Sequence, residues 1–374
     1  MRTREPAVRV ALLFDMAWGY FRDVMRGIMD YAKPGRPWLF RMQPLVGDAP
    51  RALLDGWADA AFVAVQREAD AELIRRWGRP AVNITNGIDA PDLPRVGIDE
   101  RAVGRMAARH FIELGFKRFA YVGNLSLHYA LERLAGYRAE LERSGLDLQV
   151  GERHWDALVP WLRERPRPCA VFCCTDGRAW EVAELCHGAG LRVPEDLALL
   201  GVDNDEFQCA LAHPPLSSIS RPARPIGHAA ARMLHALLRG KPAPKRPFLF
   251  QPERVVVRAS SDLVAISDPA VAAALRFLRD RAGEPIGIKH ALAGTGVSRR
   301  TLESRFRALL GRGPAEELRR LRRLRAETLL AESELPLEAI ARSAGYTRLA
   351  AFSAAFKRDA GVPPSQWRKR QRGG

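Results

Sequence analysis

Residues 345–370 read GYTRLAAFSAAFKRDAGVPPSQWRKR. In this stretch Phe356, Gly361 and Pro364 are five and three residues apart, and the same types recur at the same spacing fifty residues upstream as Phe306, Gly311 and Pro314. Before each phenylalanine a glycine, Gly296 or Gly345, separates two runs of helical periodicity. Helix, glycine-containing turn, helix is the helix-turn-helix arrangement, and its recurrence at a fixed period marks a duplicated unit. The second helix of such a unit needs an apolar stripe for the core and a polar face for DNA. In the first copy Leu302, Phe306 and Leu309 or Leu310 make the stripe, and Ser298 is placed to cap the helix beside a phosphate. Arg299, Arg300, Glu303 and Ser304 then face outward, with Arg305 and Arg307 nearby. Arginine can bond guanine through two donors, and glutamate can accept from cytosine. The second copy presents Leu349, Ala350, Ala351 and Ala354, which suit thymine methyl groups, with Thr347, Arg348, Ser353 and Lys357 for phosphates.

The charge distribution agrees with this placement. The 374 residues carry 59 Lys and Arg against 43 Asp and Glu, a net of +16. Residues 263–374 hold 22 of those bases and 11 of the acids, a net of +11, which leaves +5 for the first 262 residues. A basic segment beside a nearly balanced one indicates a nucleic-acid module joined to something else. No apolar run approaches the roughly 18 residues of a membrane helix. The opening MRTREPAVRVALLFD is too short and too charged for a secretory core. Five cysteines, an odd number crowded between Cys169 and Cys209, form no disulfide framework. The expectation is a reduced, cytoplasmic setting with no membrane partner.

The repeat, the linking segment ELRRLRRLRAETLLAES and the closing A-G-Y, F-S-x-x-F-K, G-x-x-P and W-R resemble the DNA-binding domain of the AraC-type transcription regulators. Arg323 stands where such regulators usually carry leucine, with Leu321 and Leu324 beside it. The resemblance implies two recognition helices entering successive major grooves about 34 Å apart. It also implies double-stranded operator DNA and RNA polymerase as partners, and activation of transcription.

Upstream, residues 7 to about 260 alternate short strands with helices: AVRVALLF, WLFRM, AAFVAV, AVNIT, RFAYVG, CAVFCCT and LALLGVD are the strand candidates. Such alternation predicts an α/β fold with parallel sheets, two of them at this length. No G-x-G-x-x-G follows the first strand and no G-x-x-x-x-G-K-[ST] occurs, so neither a dinucleotide nor a phosphate loop is expected. The pieces D-x4-G-x2-A-x2-H (from Asp99), R-L-A-G-Y (from Arg133), T-D-G-R-A (from Thr175), V-P-E-D and G-V-D-N resemble the two-lobed sugar-binding core of LacI/GalR-type repressors and periplasmic binding proteins. Joined to AraC-type helices, the whole resembles the group of xylose operon regulators. The domains are then 1–262 for sensing, a linker at 263–268, and 269–374 for DNA, with helix-turn-helix units at about 284–314 and 335–368.

Sugars are recognised by planar polar side chains with an aromatic face for the C–H side of the ring, at the carboxyl ends of strands. Asp15, Trp18 and Tyr20 follow the first strand, and Asn83, Thr85 and Asn86 follow another. The resemblance makes Arg133 and Asp203 the hydroxyl-binding pair. Asp176 suits either a ligand contact or a helix cap, and Trp18 either ring stacking or packing between lobes. Cys173 and Cys174 leave a redox signal open as an alternative input. An AraC-type domain also occurs on DNA-repair methyltransferases, which need a reactive cysteine. No catalytic motif, metal spacing or cofactor is indicated, and a homodimeric, sugar-responsive regulator is the expectation.

Overall fold

The computed structural model describes residues 7–32, 38–47, 49–151, 155–244, 246–262, 268–333 and 335–371. Residues 263–267, most of the expected linker, lie outside these. The chain divides into two compact units, Met1–Ala265 and Ile266–Gly374.

In the first unit, β1 (Val8–Leu13) is buried from Val10 onward, as a strand covered on both faces must be. There follow α1 (Gly19–Tyr31), β2 (Trp38–Met42), α2 (Ala49–Gly56), β3 (Ala60–Val63), α3 (Glu68–Trp77) and β4 (Ala81–Asn83). These strands form a parallel sheet in the order β2-β1-β3-β4. A bridge from Asn83 to Arg95 joins its edge to β5 (Val96–Ile98). The chain then passes into a second lobe: α4 (Glu100–Glu113), β6 (Phe119–Val122), α5 (His128–Arg143), β7 (Leu148–Gly151), α6 (Trp155–Arg163), β8 (Cys169–Cys173), α7 (Asp176–Gly188), β9 (Leu197–Val202), α8 (Glu206–Leu211) and β10 (Ser217–Ser220). It returns to the first lobe through α9 (Ala223–Leu238) and β11 (Phe248–Phe250), which pairs with β5, and crosses once more to β12 (Arg254–Val256). The second sheet runs β12-β10-β9-β8-β6-β7. The two main sheets follow the expected parallel pattern, with two departures. β12 is antiparallel to β10, and β5 with β11 makes a separate ribbon.

Each lobe owes a tight helix pair to glycines. A Cβ on Gly27 of α1 would lie 1.9 Å from the Arg224 carbonyl oxygen, and one on Gly227 of α9 equally near that of Val24. Gly104 of α4 and Gly136 of α5 face the carbonyls of Arg133 and Arg101 at 2.1 and 2.0 Å. Only hydrogen in place of a side chain allows backbones this close.

The second unit is helical: α10 (Pro269–Asp280), α11 (Ile288–Leu292), α12 (Arg299–Leu310), α13 (Pro314–Glu332), α14 (Leu337–Ser343), α15 (Leu349–Ala360) and α16 (Pro364–Gln371). Asp268 caps α10 by accepting from the Ala270 and Val271 N–H groups. The turns before α12 and α15 hold Gly296 and Gly345 at φ 68° and 78°. Gly345 is doubly constrained, because a Cβ there would also meet the Ala282 carbonyl oxygen at 2.4 Å. Helix α13 ties the copies together. Arg322 donates to the carbonyls of Ala282, Glu284 and Ile286, and Arg325 to that of Ser343. Glu317 is buried between Arg312 and Arg320, which hold its carboxyl below the usual range against the cost of burial. Arg323, the departure from the family pattern, pairs along its own helix with Glu327 at 3.0 Å, while Leu321 is buried.

Candidate functional site

A cavity of about 400 Å³ lies between the two lobes of the first unit. Its walls come from segments that follow the carboxyl ends of strands. Trp18, Tyr20 and Phe21 follow β1, Gln66 follows β3, and Ile84, Thr85 and Asn86 follow β4. From the second lobe come Asn124, Tyr129 and Arg133 after β6, Cys174, Thr175 and Arg178 after β8, Asp203 after β9 and Arg221 after β10. Arg95 and Glu100 complete the charged lining.

Arg133 is 1% exposed and ion-pairs with Glu100 at 2.6 Å. It also donates to the Cys174 carbonyl and lies over the Tyr129 ring at 4.9 Å. Burial works against its charge, but Glu100 and Asp203 outweigh burial, so the guanidinium is held above its ordinary value. Arg221 stacks on the Tyr20 ring at 3.8 Å and meets Asp203 at 2.5 Å. Tyr20 donates its hydroxyl to the Ile84 carbonyl at 2.7 Å, and burial pushes its pKa up to about 12. Burial also raises the Asp203 carboxyl, more than Arg221 lowers it. Arg221 Nε is buried and makes no hydrogen bond, while Asp203 Oδ1 is held by Arg221 Nη2 in the ion pair. A guanidinium and a carboxylate paired in a cavity wall offer the donors and acceptors that ligand hydroxyls need.

Among the expected contacts, Trp18, Tyr20, Thr85, Arg133 and Asp203 line this cavity. Asp15, Asn83 and Asp176 do not, and each has a local reason. Asp15 is exposed and accepts from the Ala17 N–H in a turn. Asn83 is buried and spends its Oδ1 on the Val65 and Thr85 N–H groups and the Thr85 hydroxyl. Asp176 has no exposure; its oxygens accept from Ser218, Cys209 and the Asp205 N–H, and Thr175, not Asp176, caps α7. Burial, then the nearby Asp203 charge, pushes Asp176 up to about 7. Sequence reasoning missed Gln66, Arg95, Glu100, Tyr129 and Arg221. Arg221 stands directly after β10, a strand of four residues with no period to read, and nothing marked Arg95. Cys173 and Cys174 are buried and burial raises both thiols, the opposite of a reactive thiolate, which counts against the redox alternative.

The lobes meet around the cavity. The Gly19 N–H donates to Asp205 Oδ2 at 2.8 Å, with Arg22 3.5 Å from the same oxygen. On another side, the N–H groups of His128 and Tyr129 reach the Gly87 and Asn86 carbonyls at 2.8 Å each.

In the second unit, Leu302 and Phe306 are buried on α12; Leu309 is 42% exposed and Leu310 half-buried, so Leu310 continues the stripe. Ser298 caps α12 by accepting from the Thr301 N–H. Arg300 and Ser304 are exposed, and Arg299 pairs with Glu303 at 2.9 Å. Arg305 turns back to Asp268 at 2.9 Å, so it is held by α10's cap and not free on the outer face. On α15, Ala350 and Lys357 are exposed and Ser353 is half-buried. Leu349 packs on the cluster around Phe352 and Phe356, a correction to its outward placement. Thr347 and Arg348 are exposed just before the helix, and Arg348 makes no side-chain cap.

Residues 108–261 match the periplasmic binding protein-like domain, and residues 292–370 a helix-turn-helix domain. The xylose operon regulatory protein of Escherichia coli K12 is 28% identical over 381 residues, covering 96% of both chains. A transcriptional repressor, PurR of Aliivibrio fischeri ES114, is 30% identical over 263 residues, 64% of this chain and 77% of the repressor. The chain belongs to the AraC-type transcription regulators with a periplasmic-binding-protein-like domain. Its architecture extends to a solved structure described as a xylose-binding transcription activator. That match has a TM-score of 0.76 and 25% identity, over 98% of the regulator and 99% of the other chain. Among the regulator's described residues, no helix is long and apolar enough to cross a membrane.

Proposed function

We propose that the regulator takes a pentose-like sugar into the cavity between its lobes and answers by changing its hold on operator DNA, as an activator of sugar catabolic genes. The observation that carries this reading is the Arg221–Asp203 ion pair, stacked on Tyr20 in the wall of a cavity between two lobes. A cavity of about 400 Å³ with aromatic faces at Trp18 and Tyr20 suits a monosaccharide. Full-length relatives named for xylose operons support the choice of sugar. Residues 1–262 do the sensing, 263–268 link, and 269–374 read DNA through Arg300, Arg299, Glu303 and Ser304 on α12 and Ala350, Ser353 and Lys357 on α15. The regulator acts by binding alone, in the cytoplasm, as a homodimer that recruits RNA polymerase.

The test is calorimetric titration with D-xylose, L-arabinose, D-ribose and D-glucose. One sugar should bind, and Asp203→Asn should weaken it at least tenfold, roughly one lost charge-assisted hydrogen bond. Absence of heat and of any change in melting temperature with all four would overturn the reading.

A further inference from the structure

Asp203 and Asn204 are the non-glycine residues with positive φ among those described, at 117° and 51°. Asparagine tolerates that region, but an aspartate at 117° persists only where its surroundings hold it. Here every side is held. The Asp203 N–H donates to the Ile219 carbonyl at 3.1 Å, and its carboxylate meets Arg221. The Asn204 N–H donates to Ser218 Oγ at 2.9 Å, and its Oδ1 accepts from Arg258 Nη2 at 2.9 Å. The turn therefore looks two ways. Asp203 lines the cavity, while Asn204 faces the segment by which the chain leaves the sensing unit.

That segment is unusually well fastened. Arg258 Nη1 donates to the Leu216 carbonyl at 2.9 Å. Ser217 Oγ accepts from the Arg258 N–H at 2.8 Å and donates to the Arg258 carbonyl at 2.9 Å. Two residues on, Ser260 has no exposure; its Oγ accepts from the Ser217 N–H and donates to the Leu199 carbonyl, both at 2.8 Å. Ser261, also fully buried, pairs through Oγ with His110 Nε2 on α4 at 2.9 Å. Residues 258–262 thus hang on β9, β10 and α4, and one side chain, Arg258, ties them to the turn at the cavity.

We infer that Arg258 is a coupling residue, which passes the state of the Asp203–Asn204 turn to the segment leading toward the DNA-reading unit. This rests on the reading of the cavity as the effector site. A ligand that draws on Asp203 or Arg221 competes with the ion pair that holds the strained aspartate. A shift of φ at that residue moves Asn204 and its Oδ1, and Arg258 follows or loses that partner. Such an element transmits only if the ligand favours one of its two arrangements, and the same coupling then acts in both directions.

The experiment uses the full chain, a DNA fragment enriched by that chain from a random-sequence pool, and D-xylose, or whichever sugar of the panel raises the melting temperature. The DNA Kd is measured with and without saturating sugar, and the sugar Kd on DNA-free protein. Wild type is expected to show a ratio of DNA affinities of about 5–150-fold. Arg258→Met and Asn204→Gly, the latter compatible with the positive φ, should each bring the ratio within about twofold of one, while the sugar Kd stays within about threefold. Arg258→Lys, which keeps a cationic donor, should restore part of it. An unchanged ratio in both variants overturns the proposal, and so does loss of sugar binding in both, which would place the contact in the binding site. A wild-type ratio of one with a sugar that binds overturns the coupling while leaving the cavity as a sugar site. Absence of any sugar binding overturns both readings.

Discussion

A guanidinium sealed from water is kept there only by its partners. Replacing Arg133 by Met takes from the buried Glu100 carboxylate its ion-pair partner, a loss that costs about 3–5 kcal/mol. Denaturant unfolding of Arg133→Met should show that loss, and the double variant with Glu100→Gln should cost less than the two single changes together. Asp176 yields a pH signature. Its folded pKa of about 7 lies above the ordinary aspartate value of 3.8, so the folded state holds the proton more tightly. Its contribution is fully present below about pH 4 and is lost as pH rises through 7, at up to about 1.4 kcal/mol per unit. Stability of the wild type measured between pH 5 and 8 should therefore fall relative to Asp176→Asn; parallel curves for the two would contradict the assignment. At this scale the sequence was informative where chemistry is tied to a pattern. Arg133 and Asp203 sat in recognisable words, and Trp18 and Tyr20 followed a strand. Asp15, Asn83 and Asp176 met the same rule and were taken up by turns and backbone instead, because the rule gives the place of a residue and not the direction of its side chain. Arg95 reaches the cavity from a short bridge before a three-residue strand, which leaves no trace in composition.

Among elements, the two glycine turns offer a matched comparison. Gly296 and Gly345 share a positive φ, but only Gly345 is pressed against a carbonyl. Changing either to Ala should destabilise by about 1 kcal/mol for the dihedral, and Gly345→Ala by clearly more, read by thermal melting of the full chain. Equal losses would mean that the contact with Ala282 yields freely. Helix α12 carries a separate expectation. Arg300→Ala should relax discrimination at one base position by about 1–3 kcal/mol, whereas Lys357→Ala on α15 should weaken all sequences alike and lower the salt slope by about 1. Binding to selected and random DNA at several salt concentrations separates the two. Long periodic helices and fully buried strands were readable from sequence, as was the short β5 ahead of its helix. β10 and β11 were not, since three or four residues show no period, and their pairing is decided by which edges the rest of the fold leaves open. The Arg305 ion pair with Asp268 is equally silent in sequence: it joins residues 37 positions apart.

For the molecule as a whole, charge and lobe geometry divide the work. The basic excess sits in residues 263–374 and governs attraction to a polyanion, while the nearly neutral sensing unit is free to answer a small ligand. The bond from Gly19 to Asp205 and the approach of Arg22 hold the lobes together from opposite sheets. Asp205→Ala, which also uncaps α8, should favour parted lobes, increase the radius of gyration in X-ray scattering and weaken the effector. Closure of this kind is best followed by distances between attached dyes, and the cysteines bear directly on that. All five are buried, and every thiol is raised by burial, so a maleimide at neutral pH has no ready native target. A single cysteine placed on the exposed surface of each lobe would be labelled selectively in the otherwise native chain, without first stripping five core residues out of it.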